Sequence, residues 1–78
     1  MNAKQREALE KLKGQLQDVH GNLESIRDEE QEKFDNMTEG AQQGDKGQAM
    51  EQAVSDLDDA ASSVGEAIDK ISDAMGSA

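Results

Sequence analysis

From Met50 to Met75 apolar residues recur at alternating steps of four and three, and an alanine accompanies them at every seventh position. Val54, Ala61, Ile68 and Met75 take heptad position a, Met50, Leu57, Val64 and Ile71 take d, and Ala53, Ala60, Ala67 and Ala74 take g. With 3.6 residues per turn, these rows fall on one side of a helix and require neighbouring helices to cover them. The pattern specifies close helix packing and carries no chemistry of its own.

A second stripe precedes it. Leu9, Leu16 and Leu23 take a and Leu12, Val19 and Ile26 take d, so all six are expected to pack on the later helix. Continuing the heptad would place Glu30 and Lys33 in the seam. Phe34 and Met37 instead follow eleven residues after Leu23 and Ile26, a step that keeps the face while relaxing the left-handed supercoil. One helix over residues 3–37 is therefore expected, running straight through Glu30. Gly14 and Gly21 fall at f, outside the seam, where each costs about 1 kcal/mol of helix propensity without opening the core.

Gly40 and Gly44 interrupt both periodicities, which makes 38–45 the linker and 46–75 the second helix. Asn2 with Gln5 and Asp45 with Gln48 have the spacing of reciprocal N-caps. A start directly after Gly44 is the alternative, although Gly47 would then be a weak first-turn residue. Gly65 lies at e, beside the seam, and Gly76, Ser77 and Ala78 read as a frayed tail. At 1.5 Å per residue the helices would be roughly 50 Å and 44 Å long, matched for an antiparallel hairpin.

The expected fold is thus all-α, one domain over residues 1–78. Phe34, Met50, Val54, Leu57, Ala61, Val64, Ile68 and Ile71 complete the expected packing set. Each helix presents a face wider than one neighbour covers, so two hairpins are expected to pair as a homodimeric four-helix bundle. A lone hairpin, or one completing its bundle with another protein, is the structural competitor. A chain of 78 residues without cysteine has no disulfide staple and gains most from such association.

The charge narrows the partners. Eighteen Asp and Glu against eight Lys and Arg leave a net charge of −10, which disfavours nucleic acid and anionic membranes and attracts basic protein surfaces. Phe34 is the only aromatic residue, too few for a base-stacking platform. No apolar run approaches the roughly 18 residues of a membrane span, and no signal-peptide core follows Met1, so a cytoplasmic protein is expected.

Reactive constellations are sparse. His20, the single histidine, falls at e with no nucleophile arranged around it. The Glu–His pairs three residues apart that build di-metal bundles are missing: Arg27 follows Glu24 and Lys33 follows Glu30 at that spacing. A calcium loop beginning at Asp56 would need glycine and glutamate where Ala61 and Ala67 stand. Gly40, Gly44 and Gly47 lack the Gly-Lys-Ser or Gly-Lys-Thr ending of a phosphate loop. No enzyme activity, cofactor or metal is expected.

The strongest surface feature is acidic. Asp28, Glu32, Asp35 and Glu39 recur at steps of four, three and four, which places them on one side near the turn, and Glu29 and Glu30 broaden the field. Such a patch suits the lysines and arginines of another protein. Asp28, Glu29, Glu32, Asp35 and Glu39 are the protein-binding candidates.

The segments LESIRDEEQEKFDNM and TEGAQQGDKGQAMEQAVSDLDDA, about half the chain, resemble small uncharacterised acidic helical proteins of bacteriophages and prophages. The resemblance is most specific at RDEEQEKFDN and GQAMEQAV, which mark a helix end and the start of the next helix. Those residues are not a catalytic signature; a phage setting favours a small protein that binds and modulates or inhibits a host protein, such as a nucleic-acid-processing or defence protein. A non-enzymatic assembly accessory and a nucleic-acid-mimicking inhibitor are the alternatives.

Overall fold

A computed structural model describes residues 1–77. Helix accounts for 92% of them and no strand occurs among them, so the chain is all-α. Helix α1 spans Ala3–Asp35, a one-turn helix α2 spans Glu39–Gln43, and α3 spans Asp45–Ser77.

Local chemistry explains these boundaries. The Asn2 side chain accepts from the Gln5 backbone N–H at 2.7 Å, and the Asn2 N–H donates to Gln5 Oε1 at 3.1 Å, closing a capping box at the start of α1. Helix α1 stops two residues short of Met37, with Asn36 as its C-cap. The reason is Thr38, whose extended backbone opens a new helix and whose Oγ1 accepts from the Ala41 N–H at 3.3 Å. The expected linker therefore contains a helical turn.

Nothing separates α2 from α3 except Gly44. Its N–H closes α2 on the Ala41 carbonyl at 3.1 Å, and its carbonyl accepts the Gln48 N–H at 3.0 Å to open α3. The expected Asp45–Gln48 reciprocal cap does not form, because Asp45 is already the first helical residue and the Gln48 amide donates instead to the Gln43 carbonyl at 3.1 Å. At its other end α3 continues through Gly76 to Ser77 where a fray is expected; Ala78 lies outside the described residues. Arg6 Nη1 donates to the Met75 carbonyl at 2.9 Å and satisfies one of the open acceptors there.

Helices α1 and α3 lie against each other along their length, antiparallel. Arg6 reaches Met75, His20 lies over Gly65, and Arg27 binds Asp58, pairs that advance in opposite directions along the two helices. The hairpin measures 58 × 15 × 13 Å, the profile of two helices side by side. Its core is correspondingly thin: Ala61, 4% exposed, is the one buried apolar side chain among the described residues.

The face of α1 toward α3 differs from expectation. Leu9, Leu16, Leu23, Phe34 and Met37 are half-buried, and so are Lys13, His20, Arg27 and Glu30 between them, which is an a/e face. The d residues Leu12, Val19 and Ile26, expected against the second helix, are 49, 44 and 51% exposed. A single neighbour covers one flank of the stripe, and Lys13, His20 and Arg27 of the e row occupy that flank with their aliphatic stems and ring. On α3, the expected positions Met50, Val54, Leu57, Val64, Ile68 and Ile71 are half-buried. Ala53 and Ala60 are also half-buried, whereas Ala67 and Ala74 are exposed.

A Cβ added at Gly14 or Gly21 would meet nothing within 4 Å. Alanine at both positions should therefore raise stability by up to about 1 kcal/mol each, through helix propensity alone. Urea denaturation followed by circular dichroism reads this directly, and an unchanged midpoint would show that propensity does not limit α1.

Candidate protein-binding surface

The acidic surface occupies the last two turns of α1. Asp28, Glu29, Glu32 and Asp35 are all exposed. Positions f and c, which hold Asp28, Asp35 and Glu32, lie on the side of α1 opposite its a/e contact with α3. Glu39 leaves the expected stripe, because α1 ends at Asp35 and Glu39 belongs to the first turn of α2. There its carboxylate faces the positive end of a helix dipole, a sufficient local reason for it.

The carboxylates differ in their surroundings. Asp28 accepts from Arg27 Nε at 3.1 Å and from Arg27 Nη2 at 2.9 Å, which partly neutralises it. Asp35 accepts from the Gln31 amide at 2.9 Å, one helical turn back. The side-chain carboxylates of Glu29 and Glu32 make no hydrogen bond or ion pair among the described residues. Lys33 is the basic residue of the last turn and partly offsets the repulsion of carboxylates near the negative end of α1.

Arg27 organises this end of the hairpin. Besides Asp28, its Nη1 donates to Asp58 Oδ1 on α3 at 2.7 Å, and Nη2 lies 3.9 Å from Glu24 Oε2. The hydrogen bond to Asp58, followed by that to Asp28, raises the guanidinium pKa above its ordinary value, so Arg27 remains cationic. This bridge was not evident from the heptad rows read one helix at a time. Its signal is positional: Arg27 and Asp58 are both e residues, and e faces e across an antiparallel pair.

His20 sits half-buried on the same edge. A Cβ at Gly65 would lie 3.7 Å from its Nε2, ordinary van der Waals contact, so the ring rests over α3 at this position. Nδ1 lies 3.0 Å from Glu24 Oε1, which orients the ring. Beside it is an open groove of about 500 Å³, lined by Gln17, Gly65, Glu66 and Asp69 among others. Among the described residues no group of three or more His, Asp or Glu side chains is placed to hold a metal ion. No described helix is long and apolar enough to cross a membrane.

The molecule is an antiparallel α-helical hairpin with a carboxylate-rich end beside its turn. No protein-family model, curated protein or solved structure matches the chain.

Proposed function

We propose that this chain is a non-enzymatic protein-binding module that works as a homodimeric four-helix bundle and offers its acidic turn-proximal surface to a basic surface on another protein. The observation that carries this reading is the division of the hairpin surface. Leu12, Val19 and Ile26 are exposed along one face, while Asp28, Glu32 and Asp35 stand exposed away from α3. Full burial of a large aliphatic side chain contributes about 1.5–3 kcal/mol, so the three exposed residues leave on the order of 3 kcal/mol unrealised in a lone hairpin. A second hairpin recovers that free energy and leaves the carboxylates of Asp28 and Asp35, both at f, available. In the phage-like setting, the partner is a cytoplasmic host protein with a basic surface, and binding modulates or inhibits it.

The test uses the double variant Asp28→Lys with Asp35→Lys. Both positions are exposed, and lysine near the end of α1 suits the helix dipole, so helix content should match the parent. The parent protein, used as bait in host lysate, should recover a nucleic-acid-processing or defence protein in a salt-sensitive manner, and the variant should recover at least tenfold less. Equal recovery by both proteins would remove the acidic surface from the function. Recovery of phage structural proteins alone would replace host modulation with an assembly role.

A further inference from the structure

The dimer proposed above has more than one possible arrangement, and the charges and apolar rows of the hairpin distinguish them. Positions d and g of both helices lie on one side of the α1–α3 contact, and e lies on the other. On the d/g side, α1 places Ala8, Leu12, Gln15, Val19, Asn22 and Ile26, and α3 places its four g alanines beside the d row from Met50 to Ile71. This stretch is uncharged, although charged residues are 33% of the chain. The opposite edge carries Arg6, Lys13, His20 and Arg27 at seven-residue intervals.

Two hairpins stacked on their d/g faces with two-fold symmetry have two choices. A dyad along the bundle puts α1 over the other copy's α3, with both turns at one end. A dyad across the bundle puts α1 on α1 and α3 on α3, with the turns at opposite ends. The second choice requires both apolar rows to be centred at one level. They nearly are: the large α1 residues Leu12, Val19 and Ile26 centre on Val19, and the α3 alanine row centres between Ala60 and Ala67, beside Val64. The His20–Gly65 contact sets those two points within about 3 Å of one level in the hairpin.

Charge separates the two arrangements further. The first 13 residues hold Lys4, Arg6, Lys11 and Lys13 against two glutamates, whereas residues 28–35 hold five carboxylates against Lys33. With the dyad across the bundle, Lys4 and Lys11 of one copy come about 3 Å from level with Glu32 and Glu29 of the other, and Lys70 with Asp56, against one like-charge pair, Asp18 with Asp18 of the second copy. With the dyad along the bundle, the same rows bring Lys11 within about one turn of Lys70 and Glu32 within about one turn of Asp56, both like-charge pairs, and no opposite pair replaces them on these rows. The apolar row runs about 37 Å at 1.5 Å per residue, and the hairpin is 15 Å wide. Because the α1 row from Ala8 to Ile26 is shorter, about 27 Å, the face projects on the order of 470 Å² per copy, somewhat over half of the roughly 800 Å² of accessible surface per partner in standard interfaces.

We infer that two copies of this chain pair head to tail through their d/g faces, α1 on α1 and α3 on α3, with a dyad at the level of Val19 and Val64. This rests on the homodimer of the preceding section and adds its interface and orientation.

Two measurements on one variant test it. Gln43→Cys places the single cysteine on the exposed turn, where a nitroxide label reports the turn-to-turn distance by pulsed electron paramagnetic resonance, and sedimentation equilibrium gives the mass. The expected result is a dimer with a distance close to the 58 Å length of the hairpin. A dimer with labels roughly 20 Å apart, about two interhelical spacings, would overturn the inferred orientation alone. A monomer at all concentrations would overturn both the orientation and the homodimer on which it rests.

Discussion

Replacement of Ala61 by aspartate is expected to abolish most of the helical signal of this protein. Ala61 is the one buried apolar side chain among the described residues, and it lies between the His20–Gly65 and Arg27–Asp58 pairs, level with Leu23. A carboxylate there would lose its hydration with no cation on the a row to compensate it. The nearest bridge, Arg27, is already engaged by Asp58 and Asp28. An uncompensated buried charge costs several kcal/mol, a large share of the 5–15 kcal/mol typical of whole domains. Far-UV circular dichroism at neutral pH checks this, with Ala61→Ser as the control. Serine is expected to remain folded, because its hydroxyl bonds back to the preceding turn. An Ala61→Asp protein as helical as the parent would show that the two helices do not meet closely at this level.

The second large effect is expected at Gly47. In an isolated helix, alanine is better than glycine by about 1 kcal/mol, so the substitution should be favourable on propensity alone. Here the sign is reversed by packing. A Cβ at Gly47 would stand 2.6 Å from both the carbonyl carbon and the Cα of Gln42, which are backbone atoms of α2 and cannot swing aside. Gln42 is also tied to α1, its amide donating to the Phe34 carbonyl at 2.8 Å. Gly47→Ala must therefore displace α2 and strain its link to α1, for a net loss of about 1–3 kcal/mol. In a chain of this size, each kcal/mol lowers the melting temperature by about 4–8 °C. Thermal denaturation of the Gly47 and Gly14 alanine variants should move the midpoint in opposite directions. A rise for Gly47→Ala would mean that α2 does not pack on the first turn of α3.

These two positions also mark how far the sequence could be read. The heptad of α3 was legible because its a and d rows are apolar throughout, and Ala61 falls in that seam. The Asn2–Gln5 cap was legible because its chemistry is local. The rotation of α1 was not, because its e row runs through Lys13, His20 and Arg27 before reaching Phe34, and the covered parts of those three are aliphatic stems and a ring that hydropathy counts as polar. Nor was α2, since Gly40 and Gly44 have the composition of a flexible linker and the wedge against Gly47 depends on a contact between segments. Within the acidic surface, sequence spacing placed Asp28, Glu32 and Asp35 on one side of α1 but carried the stripe on to Glu39, which belongs to α2. It missed the bridge that partly neutralises Asp28, which depends on the register of α1 against α3.

The thinness of the hairpin bears on how it forms. Each layer touches mainly the layers on either side, as in a one-dimensional array, and the tertiary links differ greatly in the chain they enclose. Gln42 and Phe34 are 8 residues apart, Arg27 and Asp58 are 31, and Arg6 and Met75 are 69. Closing the shortest loop first makes each later closure local, so the entropic cost is met in small steps that start at α2. The molecule should zip from its turn toward its termini and open in reverse, with amide protection graded along its length. The turn, usually the most dispensable part of a helical hairpin, is here the place where folding begins.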